Sequence, residues 1–118
     1  GEHRCNIWQG NFPGENLGLD GYLTTAPVTA FEPNDFDLYN MVGNVWEWCS
    51  DGWSVDWHEP ESKATRFNPK GPENGDAKVI RGGSYLCQSS YCNRYRLSAR
   101  SFNTPDSSTG NMGFRCTR

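Results

Sequence analysis

Glycine or proline interrupts nearly every stretch of a dozen residues in this 118-residue chain, which carries 13 glycines and 7 prolines. Neither sits comfortably inside a regular element: glycine loses the most backbone entropy, and proline lacks the donor that helices and sheets require. The helical apolar period is rarely sustained, and residues 38–42 form the best short helical stretch, too short to stand alone. Strand-like runs are brief too, at 26–31, 45–49, 78–81 and 113–117. In the second of these, Trp46 and Trp48 share one face while Val45, Glu47 and Cys49 share the other. Residues 54–77 are polar and rich in Pro, Glu, Asn and Gly, and read as a long surface loop. No internal repeat or low-complexity tract interrupts the pattern. These features predict one α+β domain with a high share of irregular backbone.

Such a chain needs large side chains to build a core, and it has five tryptophans, five tyrosines and six phenylalanines. Each large ring buries roughly 150–250 Å², and disordered chains are poor in aromatics. Net charge is −3 and no basic stripe is present, which argues against nucleic acid as the main partner. No apolar run approaches the roughly 18 residues of a membrane span, and nothing resembles a signal peptide. The chain opens at Gly1 without a methionine, so a segment excised from a longer protein is expected.

Five cysteines stand at 5, 49, 87, 92 and 116. Cys87 and Cys92 are five residues apart, a spacing that puts helical side chains about 140° apart and strand side chains on opposite faces. Both sulfurs converge only if the chain bends between them, and Gly82, Gly83, Ser84, Ser89 and Ser90 supply turn chemistry. Two thiolates meeting at a bend make either a disulfide or a soft-metal site. Zinc is disfavoured, because CxxC pairs are absent and His3 and His58 lie far from the pair in sequence. Two other segments offer hard oxygen ligands: Asn6 and Ile7 with Asp20 and Tyr22, and Asn40 through Glu47 around a turn at Gly43. Calcium takes six to eight such oxygens; alternatively, Asn6, Asn40 and Asp20 only cap turns.

Read in order, several blocks resemble the formylglycine-generating enzymes, or sulfatase-modifying factors. They are NIWQG at 6–10, TAPV at 25–28, LYNMVGNVWEW at 38–48, RGGSYLC at 81–87, SYCNRYR at 90–96, ARSFNTPDSS at 99–108 and GFRC at 113–116. The GNVWEW and RGGS blocks mark the wider superfamily, whereas the cysteine block and ARSFNTPDSS are specific to catalytic members. The resemblance implies that residues 1–118 are the C-terminal part of a single domain whose N-terminal half lies outside this chain. It implies a variant C-type lectin-like fold, low in regular secondary structure.

The activity implied is copper-dependent oxidation, with O₂, of a cysteine in a Cys-x-Pro-x-Arg motif of an unfolded sulfatase polypeptide to Cα-formylglycine. Cys87 and Cys92 match the two active-site cysteines, and paired soft sulfurs suit copper(I) while leaving positions open. Ser84 and Trp46 match residues lining the oxygen pocket, and Tyr91, Ser108 and Asn111 match positions near the peptide groove. Arg94, Arg96, Arg100 and Asn103 match as supports for the bend. Both oxygen-rich segments become structural calcium sites, one of Asn6, Ile7, Asp20 and Tyr22, the other of Asn40, Gly43, Val45 and Glu47. Ile7, Tyr22, Gly43 and Val45 would contribute main-chain carbonyls.

Some positions depart from the pattern. Leu97 stands where animal members carry a disulfide cysteine, Cys116 matches a position whose partner lies outside this chain, and Gln88 replaces the histidine of some members. Cys5 and Cys49 match no assigned role. Leu97 and the odd cysteine count point to a bacterial cytoplasm, with a secretory compartment as the alternative. The competing functional class is a non-catalytic lectin-like binding module. A related iron-dependent sulfoxide synthase would need histidines from a helical domain that nothing here supplies.

Overall fold

The computed structural model describes residues 1–57, 67–69, 71–73 and 75–117. Four strands form one sheet: β1 Trp46–Gly52, β2 Lys78–Arg81, β3 Ser101–Asn103 and β4 Met112–Gly113. Their order is β3-β2-β1-β4. β1 and β2 run antiparallel with Glu47 opposite Arg81 and Trp48 opposite Ile80. The register slips between Trp48 and Gly52, an irregularity of the kind that bends a strand. β2 pairs antiparallel with β3, and β1 pairs parallel with β4.

The expectations for 45–49 and 78–81 are met by β1 and β2. Three others are corrected. Residues 26–31 form turns and bends, with Pro27 unable to donate to a ladder. Residues 38–42 are not helical: Asn40 is left-handed at φ 47°, as is Asp37 at φ 58°, which breaks a right-handed helix. Of 113–117 only Gly113 lies in a strand, at the end of β4. The only helix among the described residues is a 3₁₀ turn at Asn93–Tyr95. Part of the 54–77 loop, including His58, lies outside the described residues, and the described part of 54–77 carries no helix or strand.

The most deeply buried large side chains are Asn6, Cys87 and Ser84, each no more than 1% exposed. Val79, Ile80, Ala26 and Ala99 complete a small apolar core. A core centred on polar groups must satisfy them internally, and Asn44 does much of that work. Its Oδ1 accepts from Asn6 Nδ2 at 3.2 Å and from Ala26 N at 2.8 Å. Its Nδ2 donates to Ala26 O, its backbone N donates to Asn6 O, and its backbone O accepts from Tyr85 N at 2.8 Å. One buried asparagine therefore ties the N-terminal segment, the 26–27 turn and the turn after β2 together. Gly43 must be glycine beside it, since φ is 74° and a Cβ would lie 2.3 Å from Asn6 O. Large apolar side chains such as Phe36, Leu97, Phe114 and Val28 lie on the surface.

Candidate active site

β2 delivers the chain to Gly82 and Gly83, both left-handed at φ 89° and 72°. Only glycine adopts successive left-handed conformations cheaply, and Gly83 is further constrained because a Cβ would meet Tyr95 Cβ at 2.9 Å. The reversal plants Ser84 in the interior, where its Oγ accepts from Leu86 N at 3.3 Å and from Asn111 Nδ2 at 3.1 Å. Cys87 N then donates to Ser84 O, and Cys92 N and Tyr91 N both donate to Gln88 O. Two tight turns in sequence fold the five-residue spacing back on itself. The Cys87 and Cys92 sulfurs end 2.7 Å apart as free thiols.

Burial pushes the Cys87 thiol up to about 12, the neighbouring Cys92 thiol adds to the rise, and Ser84 opposes it. At neutral pH Cys87 thus holds its proton unless a metal replaces it. Among the described residues no cluster of three or more His, Cys, Asp or Glu side chains collects. The donor set at the bend is two sulfurs, which fits a soft monovalent ion and not a hard divalent one.

Asn111 links the other assigned residues. Its side chain donates to Ser84, its backbone O accepts from Trp46 N at 2.8 Å, and its Oδ1 accepts from Thr109 at 2.7 Å. Ser84, Cys87, Cys92, Asn111 and the Trp46 backbone form one bonded cluster. Tyr91 stands at its rim, mostly exposed. Ser108 is exposed after the Thr104–Ser107 turn, and no hydrogen bond among the described residues joins it to the cluster. The four assigned supports lie around it: Arg94 donates to Arg100 O, Arg96 to Asn93 O and Arg100 to Ser54 O. Asn103 Oδ1 accepts from Thr104 N. Sequence reasoning gave residues 8–10 only as part of the NIWQG block and missed that this segment lies against the cysteine turn, through Trp8 N to Cys87 O and Gln88 Nε2 to Gly10 O. For Phe12 the one signal was aromatic content.

In the first oxygen-rich segment, Asp20 Oδ2 accepts from Ile7 N and Gln9 Nε2 at 3.1 and 2.7 Å, and Oδ1 accepts from Tyr22 N. The Gln9 amide also donates to Ile7 O, so it bridges two of the assigned ligands. Asn6 spends its Nδ2 on Thr24 O and Asn44. In the second segment Asn40 Oδ1 is buried without a partner, which suits a cation. Glu47 is paired with Arg115, whose guanidinium also donates to the Tyr39 and Asn40 carbonyls. Some assigned oxygens in each segment already accept from a nitrogen donor, Ile7 O and Asp20 from Gln9 Nε2 in the first and Asn40 O and Glu47 from Arg115 in the second.

A two-thiol bend, with Cys87 buried and Cys92 half-buried, wired to a serine and an asparagine defines a candidate redox or soft-metal site in a fold of little regular structure. The family model described as "Sulfatase-modifying factor enzyme 1-like domain" matches residues 1–118, and the chain belongs to this family. It is 65% identical over 116 residues to a formylglycine-generating enzyme of Thermomonospora curvata, covering 98% of this chain and 38% of that protein. A Streptomyces coelicolor protein of the same name is 58% identical, with 98% and 36% covered. A Bos taurus relative named "Inactive C-alpha-formylglycine-generating enzyme 2" is 38% identical, with 97% and 33% covered. The chain thus spans about a third of the length of these relatives. Among solved structures, PvdO from Pseudomonas aeruginosa superposes with a TM-score of 0.67 at 26% identity, covering 94% of this chain and 37% of PvdO. The fold is the low-regularity one the family shares.

Proposed function

We propose that the protein to which this chain belongs oxidises a cysteine of a sulfatase Cys-x-Pro-x-Arg segment to Cα-formylglycine with O₂. The observation that carries this reading is the pair of free thiols, buried Cys87 and half-buried Cys92, 2.7 Å apart on a bend. Relatives named for this activity support it at high identity. The conversion balances when a –CH₂SH group and O₂ take up two electrons and two protons and yield –CHO, hydrogen sulfide and water. A thiol reductant that becomes a disulfide supplies those electrons and protons.

Cys87 and Cys92 would hold copper(I), releasing their protons on binding. Copper, once bound, supplies the one-electron chemistry that makes O₂ reactive toward a C–H bond. The chain's own residues do the rest. Ser84 places a hydroxyl beside the pair, Asn111 fixes that hydroxyl, and Trp46 forms the neighbouring wall of the oxygen pocket. Tyr91 and Ser108 face the peptide groove, whose remainder comes from the N-terminal half of the domain. Asn6, Ile7, Asp20 and Tyr22, and Asn40, Gly43, Val45 and Glu47, would hold structural calcium. The absence of a cysteine at Leu97 favours a bacterial cytoplasm.

The test is mass spectrometry of a Cys-x-Pro-x-Arg peptide incubated with the complete, copper-loaded protein. Sulfur loss and aldehyde gain are expected for the wild type, and neither for Cys87→Ser or Cys92→Ser. Full conversion by both variants would overturn the mechanism. A wild type that neither binds copper(I) nor converts the peptide would favour the alternative, a non-catalytic lectin-like binding module.

A further inference from the structure

Three aromatic rings from two distant segments meet at the turn that carries the thiol pair. Tyr91, which directly precedes Cys92, is 66% exposed. Its ring nevertheless lies stacked on Phe12, with centroids 4.1 Å apart and planes 16° from parallel. Phe12 is backed by Trp8 in an edge-to-face contact at 5.0 Å and 71°. Two hydrogen bonds clamp the segments in this register, Trp8 N to Cys87 O at 3.0 Å and Gln88 Nε2 to Gly10 O at 2.6 Å. A tyrosine on a surface turn is free to change rotamer; this one is held by a ring that is itself braced. Phe12 has no group that can ligate a metal or move a proton, so whatever it does for chemistry passes through Tyr91.

We propose that Phe12 is a positioning residue, its ring fixing Tyr91 as a flat wall beside Cys92 against which the peptide packs next to its reacting cysteine. The inference rests on the oxidase reading of the thiol pair and adds to it the origin of part of the peptide's affinity. The negative face of an aromatic ring takes apolar CH groups edge-on, so the residue this wall suits is a compact, apolar, ring-shaped one. The proline of the Cys-x-Pro-x-Arg motif has that shape.

The experiment uses the complete protein. Phe12→Leu keeps apolar bulk and removes the ring, and Phe12→Tyr restores a ring. The expected result for Phe12→Leu is a peptide KM raised about two- to tenfold, the factor that corresponds to one aromatic pair. Its kcat and copper(I) affinity should stay within about twofold of wild type, and Phe12→Tyr should recover the KM. Tyr91→Ala should raise KM at least as much, and Phe12→Leu should add little in that background, because the first change has already removed the wall. With a peptide whose proline is replaced by alanine, Phe12→Leu should become nearly silent. Independent, multiplying effects of the two substitutions would overturn the proposal. So would a Phe12→Leu that lowers kcat and copper affinity at unchanged KM, the mark of a merely structural contact. Binding of a fluorescent peptide with serine in place of the reacting cysteine, read by anisotropy, separates the two levels of the argument. Persistence of the Phe12–Tyr91 coupling there, with the cysteine peptide left unoxidised by wild type, would sink the oxidase reading and keep the wall. Loss of the coupling there would sink the wall, whatever the chemistry.

Discussion

Cys87 and Cys49 are both shielded thiols, but the backbone around each gives it different company. Cys49 lies on β1, and alternation sends its immediate neighbours Trp48 and Ser50 to the other face. Its surroundings are charges: burial and Asp51 push its thiol up while Arg81 pulls it down. Cys49 lines a cavity of about 430 Å³ together with Met41, Trp48, Arg81, Tyr95 and Arg115, and among the described residues no second cysteine lines it. Cys87 lies on irregular backbone, where two left-handed glycines and two tight turns bring Cys92 to 2.7 Å. The sheet thus acts as a scaffold of spaced groups, and the loop gathers them. In this fold converging chemistry is built where regular structure stops.

Several measurements would break or sharpen that contrast. The largest effect expected on stability is at the segment leading into β1, where Asn40 Oδ1 is buried without a partner. If calcium binds there, chelation should lower the melting temperature of the complete protein, since a ligand at a hundredfold excess over its Kd stabilises by about 2.7 kcal/mol. Asn40→Ala should make the protein less sensitive to chelator. An unchanged melting temperature on chelation would reject calcium for this member.

A smaller effect separates the two regions directly. Gly83→Ala forces a left-handed alanine, costing about 1–2 kcal/mol, and presses its Cβ toward Tyr95. It should weaken copper(I) binding as well as stability. Gly52→Ala is more crowded still, with a Cβ 2.6 Å from Pro72 O, but it lies on the sheet. Differential scanning calorimetry should show destabilisation in both, and copper titration a loss only in the first. Equal copper losses would mean that sheet and bend are not separable.

The smallest effect is in thiol reactivity. With Cys87 pushed up to about 12, its reactive thiolate is scarce at pH 8, and alkylation of the metal-free protein should still accelerate from pH 9 to pH 11. An ordinary thiol, ionising near pH 8.5, levels off over that range. Peptide mapping after brief iodoacetamide treatment should find the exposed Cys116 modified well before Cys87. A Cys87 rate that plateaus by pH 9 would show that its thiol is not held in the protonated form.

How much of this was legible in the sequence follows the same division. β1 could be read from the alternation of Trp46 and Trp48, and β2 from the β-branched pair Val79 and Ile80. The bend could be inferred because no regular element lets residues five apart converge. The helix expected at 38–42 failed because the left-handed turn at Asn40 depends on hydrogen bonds to Pro27 and Val28, distant in sequence. The role of Asn44 was hidden for the same reason, its five bonds reaching residues 6, 26 and 85. Phe12 and Tyr91 are 79 positions apart, and no periodicity connects them. As site residues Ser84 and Asn111 entered only through family resemblance; their bond is a tertiary fact.

The central claim is that the two sulfurs of the bend act as one soft-metal cradle. Copper(I) titration of the complete, reduced protein against a competing chelator tests it most directly. The account predicts one tightly bound copper in the wild type and in Cys49→Ser, and affinity lost by orders of magnitude in both Cys87→Ser and Cys92→Ser, because a hydroxyl is a hard, poorly ionised substitute for thiolate. Tight binding that survives either substitution at the bend, or that disappears with Cys49→Ser, would contradict it.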